Sequence, residues 1–95
     1  MVAYVIVQIE IEDAEKYEQY RAGVPATVEA HGGRYLVRGG RMDHLEGEAP
    51  LPRVAVLEFP SFEQAKAWYD SDDYADLKRL RQSASRANAI LVEGV

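Results

Sequence analysis

Ninety-five residues, 47% hydrophobic and 28% charged, describe one ordinary globular domain near the small end of the usual range. The absence of cysteine excludes disulfides and thiolate chemistry and suits the cytoplasm, while a net charge of −5 disfavours a nucleic-acid or acidic-membrane partner. No apolar run has the length to cross a bilayer, and the N-terminus lacks the basic and then apolar pattern of a leader, so no membrane role is expected.

The first predicted element is a strand over residues 3–11, "AYVIVQIEI", rich in β-branched and aromatic residues. Asp13 follows as an N-cap, with Glu15 in the first turn where the helix dipole favours an acid. Tyr17, Tyr20, Val24 and Val28 recur at spacings of three and four and give this helix one apolar stripe. Pro25 lies inside the stripe and leaves the Arg21 carbonyl without its helical donor, so a kink or break is expected there. Gly32 and Gly33 supply the left-handed stop.

A second strand is predicted over residues 34–42, with Arg34, Leu36 and Arg38 on one face and Tyr35 and Val37 on the other. The pair Gly39–Gly40 reads as a bulge in this strand. The polar, proline-containing run "DHLEGEAPLP" (43–52) is a connection, and "RVAVLEF" (53–59) a third strand ended by Pro60. Ser61 and Gln64 form a capping box for a helix through Ala65, Trp68 and Tyr69. Ser71 caps a second piece, on which Tyr74, Leu77, Leu80 or Arg81, and Ala84 share a face. Residues 88–93, "NAILVE", are the last strand.

The order is βαββαβ, an α+β ferredoxin-like domain over 1–95 with a four-stranded antiparallel sheet and helices on one face. Aligning Glu10 with Glu58 also aligns Asp13 with Ser61 and Tyr20 with Trp68, as two similar halves require. Both faces of the strands carry apolar residues. Helices can cover only one, so the face bearing Gln8, Glu10 and Glu58 is expected to meet a second copy in a homodimer.

These pieces are similar to a known family. The segments "AYVIVQIEIEDAEKYEQYR", "VPATVEAHGGRYLVRGG", "EFPSFEQAKAWYDSDDY" and "LKRLRQSA" resemble the domain-of-unknown-function 1330 family over nearly the whole chain. The resemblance implies membership of the dimeric α/β-barrel superfamily, in which ferredoxin-like subunits pair sheet to sheet. Relatives there include cofactor-independent monooxygenases, a lactone isomerase and haem-degrading enzymes, with pockets between sheet and helices. The family itself has no assigned reaction. Asp72 departs from its pattern, standing where proline often follows the serine of "WYDS".

Four groups of residues are candidate sites. Arg34 and Arg38 on one face would clamp a carboxylate or phosphate, or else pair with Glu10 or Glu58 of neighbouring strands. Because buried charges are normally paired, pairing is favoured. Glu58, at a strand end beside Phe59, is a candidate general base, against a salt bridge to Arg38 or Arg53. Trp68, Tyr69, Tyr74, Tyr17 and Tyr20 would line an apolar pocket, Trp68, Tyr17 and Tyr20 reading mainly as core and Tyr69 and Tyr74 as sources of an exposed hydroxyl. Asp43, His44, Glu46 and Glu48 read as a solvated loop, so neither metal nor cofactor is expected.

Two functional readings follow. One is a small-molecule-binding or cofactor-free catalytic module holding an apolar ligand with one anionic group, with Arg38 as anchor, Tyr69 as donor and Glu58 as base. The other is a non-catalytic dimer whose arginines and glutamates are interface ion pairs. A metal-dependent oxygenase using His44 is a distant third.

Overall fold

A computed structural model describes residues 1–95 as β1 (Ala3–Ile11), α1 (Ala14–Ala30), β2 (Arg34–Arg38), β3 (Arg53–Phe59), α2 (Phe62–Tyr69), α3 (Asp72–Ala84) and β4 (Ser85–Glu93). The sheet is antiparallel in the order β2-β3-β1-β4, the ferredoxin-like arrangement. All three helices lie on one face. Alternation along β1 selects that face: Ala3, Val5, Val7 and Ile9 are buried under the helices, while Tyr4, Ile6, Gln8 and Glu10 point the other way.

The helix starts follow the expected caps. Asp13 accepts from the Lys16 amide, Ser61 from that of Gln64, and Ser71 from that of Tyr74. Buried Tyr17, Tyr20, Val24 and Val28 form the inward stripe of α1. They meet Val5, Val7, Leu57 and Phe59 of the sheet and Trp68 and Tyr74 of the other helices in one core. Each such buried side chain contributes roughly 1.5–3 kcal/mol relative to exposure. Gly32, at φ +77°, closes α1, and its neighbour Gly33 lies against the Phe59 ring, where a Cβ would come within 2.5 Å of Cε1.

Several expectations need correction. Pro25 does not end α1, which runs unbroken through it. The second strand stops at Arg38 rather than residue 42, because Gly39, whose amide still bonds the Val54 carbonyl, turns the chain away at φ +70°. The last strand begins at Ser85, three residues early, directly from the end of α3.

The largest correction concerns β2. Its pairing with β3 runs Arg34↔Glu58 and Tyr35↔Leu57, then Val37↔Val56 and Arg38↔Ala55. Leu36 is therefore an extra residue, a bulge placed inside the strand instead of at Gly39–Gly40. One inserted residue reverses the alternation beyond it. Arg34 and Val37 share the open face, whereas Tyr35 and Arg38 stand opposite Leu57 and Ala55 on the helix face. Arg34 and Arg38 thus do not act together.

Candidate functional site

Between sheet and helices the core leaves a void of about 40 Å³, room for on the order of two waters. Its walls are apolar where β1 and β3 contribute Val5, Val7, Ile9, Ala55 and Leu57. The polar part comes from arginines and tyrosines. Arg21, Arg38, Arg53 and Arg81 all line it, and no aspartate or glutamate does.

Arg38 reaches the void because of the bulge. Its guanidinium lies over the Tyr35 ring, 4.7 Å from the centroid, and donates through Nη2 to the Arg21 carbonyl at 3.1 Å. That carbonyl is the one Pro25 leaves without a helical donor. The proline thus creates an acceptor, and a side chain from the sheet satisfies it. Arg53 runs close over Gly39, whose φ of +70° favours glycine and where a Cβ would lie 2.6 Å from the Arg53 Cζ.

Arg81 is the residue that sequence periodicity left undecided against Leu80. It is 5% exposed, and it is absent from every ion pair in the chain. Its Nε donates to the Tyr74 hydroxyl at 3.3 Å, and that hydroxyl bonds Tyr20 Oη at 2.9 Å. Neither Nη atom makes a bond within the chain. No fully buried polar atom lacks a partner, so both nitrogens keep some accessible surface, and Arg81 is one of the residues lining the void. Burial disfavours the charge, but the surrounding tyrosine oxygens, Tyr74 foremost, outweigh it and raise the pKa.

Burial also raises the Tyr20 pKa far above the ordinary phenol range, with Tyr74 reinforcing it. Tyr35 is pushed up to about 12, burial outweighing the opposing pull of Arg38. Both phenols are therefore neutral hydrogen-bond donors at physiological pH. The void is a cationic chamber with uncharged hydroxyls in its wall.

The other expected residues fall in different places. Trp68 is buried and donates from Nε1 to Thr27 Oγ1 at 3.0 Å, yet its ring also borders the void. Tyr74 is 1% exposed, so its hydroxyl is not at the surface as expected but inside, in the Tyr20–Arg81 chain. Tyr69 is half-buried at the end of α2, with Lys78 Nζ 4.2 Å above its ring. Arg34 and Glu58 are on the open face, joined at 3.0 Å, so Glu58 is not among the groups at the void. The structure brings Arg38, Trp68, Tyr69 and Tyr74 together and leaves Arg34 and Glu58 apart from them.

A family model described as "Domain of unknown function (DUF1330)" matches residues 2–95, and the chain belongs to that family. No curated protein matches it. Among solved structures, a protein of unknown function from Rhodopseudomonas palustris is similar at TM-score 0.79 and 18% identity, covering 99% of this chain and 82% of that one. A dimeric ferredoxin-like protein of unknown function from Jannaschia sp. CCS1 has TM-score 0.79 at 13% identity, covering 99% and 100%. A cofactor-independent oxygenase from Streptomyces nogalater has TM-score 0.66 at 9% identity, covering 99% and 93%. At these identities the likeness is one of fold.

Proposed function

We propose that this DUF1330 protein is a homodimer that binds, and without a cofactor transforms, a small apolar ligand carrying one anionic group, held between sheet and helices. The observation that carries this reading is Arg81, a buried cation with no carboxylate partner that lines the void. An uncompensated buried charge is costly, and an anionic ligand would compensate it. Arg38 is the second anchor, at the sheet end. Tyr69 and Tyr74 offer hydroxyls to the ligand's polar atoms, and Trp68 is apolar wall. The void is smaller than such a ligand, so entry displaces part of its wall.

The homodimer rests on the open face. Ile90, Val92 and Val37 are 60%, 42% and 39% exposed there, beside Ile6, Val54 and Val56 of the central strands. Helices of the same chain do not reach this surface, and a second copy would cover it. The Jannaschia relative, described as dimeric, supports the same assembly.

The non-catalytic reading keeps one observation of its own. Arg34–Glu58 and Arg86–Glu10 pair at 3.0 Å each on the open face, as expected for ion pairs set in a dimer contact. Benzoate separates the readings. Calorimetric titration is expected to show binding that weakens roughly tenfold or more in Arg81→Met and in Arg38→Ala, as loss of a charge-assisted bond predicts. Equal affinity in all three proteins overturns the ligand reading. A monomer mass by light scattering at micromolar protein overturns the dimer.

A further inference from the structure

A second, larger hollow lies beside the first. It is a groove of about 290 Å³ between α2 and the edge strand β4, walled by Phe62, Ala65, Ala89 and Leu91, with Lys66 as its only charged residue. Val5, Tyr69 and Ala89 line both this groove and the inner void. The two hollows are therefore neighbours, parted by the same three side chains. Of these, Val5 and Ala89 belong to paired strands β1 and β4 and are fixed by the sheet. Tyr69 is the last residue of α2, half-buried, at the break before α3. It is the one wall member on a helix end.

The groove exists because β4 outruns its cover. Ala89 pairs with Val7 and Leu91 with Val5, so both face the helix side, yet Ala89 is exposed there. Phe62, 39% exposed at the start of α2, overhangs the same space. The chemistry of the compartments is opposite: an apolar channel outside, and a carboxylate-free arginine and tyrosine chamber inside. Alone, the inner void admits little beyond water. Joined, the two reach the roughly 300 Å³ at which small-molecule sites begin.

Resting on the anion-binding reading above, we propose that the two hollows are one site for an elongated amphipathic monoanion, such as a medium-chain carboxylate. Its head lies at Arg81 and Arg38, its tail along the α2–β4 groove, and Tyr69 is the partition between them. Arginine fixes the headgroup class, and the length of the groove selects the tail.

The test is a chain-length series, butanoate to decanoate, read by the emission of Trp68, the single tryptophan and a wall of the inner void. Affinity is expected to rise roughly fourfold for each added methylene until the groove is filled. Phe62→Ser, altering an exposed groove wall, is expected to weaken decanoate at least fivefold more than benzoate. Benzoate binding with a flat chain-length series overturns this inference and leaves the reading beneath it standing. A rising series that Phe62→Ser weakens no more than benzoate places the tail elsewhere and likewise overturns it. Failure of every anion to bind, benzoate included, removes both.

Discussion

The two faces of the sheet use arginine in opposite ways. On the open face Arg34 and Arg86 are exposed and each holds a carboxylate, Glu58 and Glu10, at 3.0 Å. On the helix face Arg38, Arg53 and Arg81 border a void and none forms an ion pair. Arg34 and Arg38 are four residues apart on one short strand, and the Leu36 bulge alone separates their fates. Cations that are neutralised within the fold have no charge left to offer a ligand. Those that are not neutralised retain it, at a cost in stability.

The comparison breaks most sharply at Arg81. Arg81→Ala is expected to lower stability by about 2 kcal/mol through lost packing of its stem and a residual cavity. Arg81→Met keeps the volume and removes the unpaired charge, and Tyr74 retains its bond to Tyr20. Its stability in urea should equal or exceed that of the parent. A Met variant as unstable as the Ala variant would mean that the charge itself holds the fold together, erasing the contrast between the faces.

Arg38 allows a finer test, because its hydrogen bond answers a defect made elsewhere. Arg38→Ala should cost about 1–2 kcal/mol, from the lost donor to the Arg21 carbonyl and the contact with Tyr35. In a Pro25→Ala background the helix supplies its own donor to that carbonyl, so the same change should cost about 1 kcal/mol less. Denaturation of the four proteins of this cycle gives the coupling. Strict additivity would show that proline and arginine are unconnected.

Legibility in the sequence divides along the same line. Caps at Asp13, Ser61 and Ser71, the α1 stripe and the strand order depend on local spacing, and all were legible. Even the orphan carbonyl of Arg21 was legible, from Pro25 alone. What supplies its donor was not, because a bulge at Leu36 carries no local breaker and depends on which β3 residues β2 must face. The glycines at 39 and 40 look like the bulge, but Gly39 turns the chain at the strand's end and leaves room for Arg53, while a Cβ on Gly40 would meet nothing. Arg81 was hidden by periodicity, since Leu80 and Arg81 fit the α3 stripe equally until tertiary packing chooses. Residue types alone gave no sign that its charge would go unpaired.

The smallest expected effect lies on the open face. Glu58→Gln removes the partner of Arg34, whose side chain is 70% exposed and well hydrated without it. Water replaces most of what the carboxylate supplied, and the pair was already screened by salt. The stability change should stay below about 0.5 kcal/mol. Benzoate affinity should hold, because Glu58 and the void are on opposite sides of the sheet. In a monomer nothing more would follow. In the proposed homodimer Glu58 lies in the contact, so dimer dissociation measured by light scattering on dilution should shift to higher concentration while ligand binding does not. If Glu58→Gln instead weakened benzoate as Arg81→Met does, the two faces would be one electrostatic unit. The separation made by the Leu36 bulge would then carry no functional meaning.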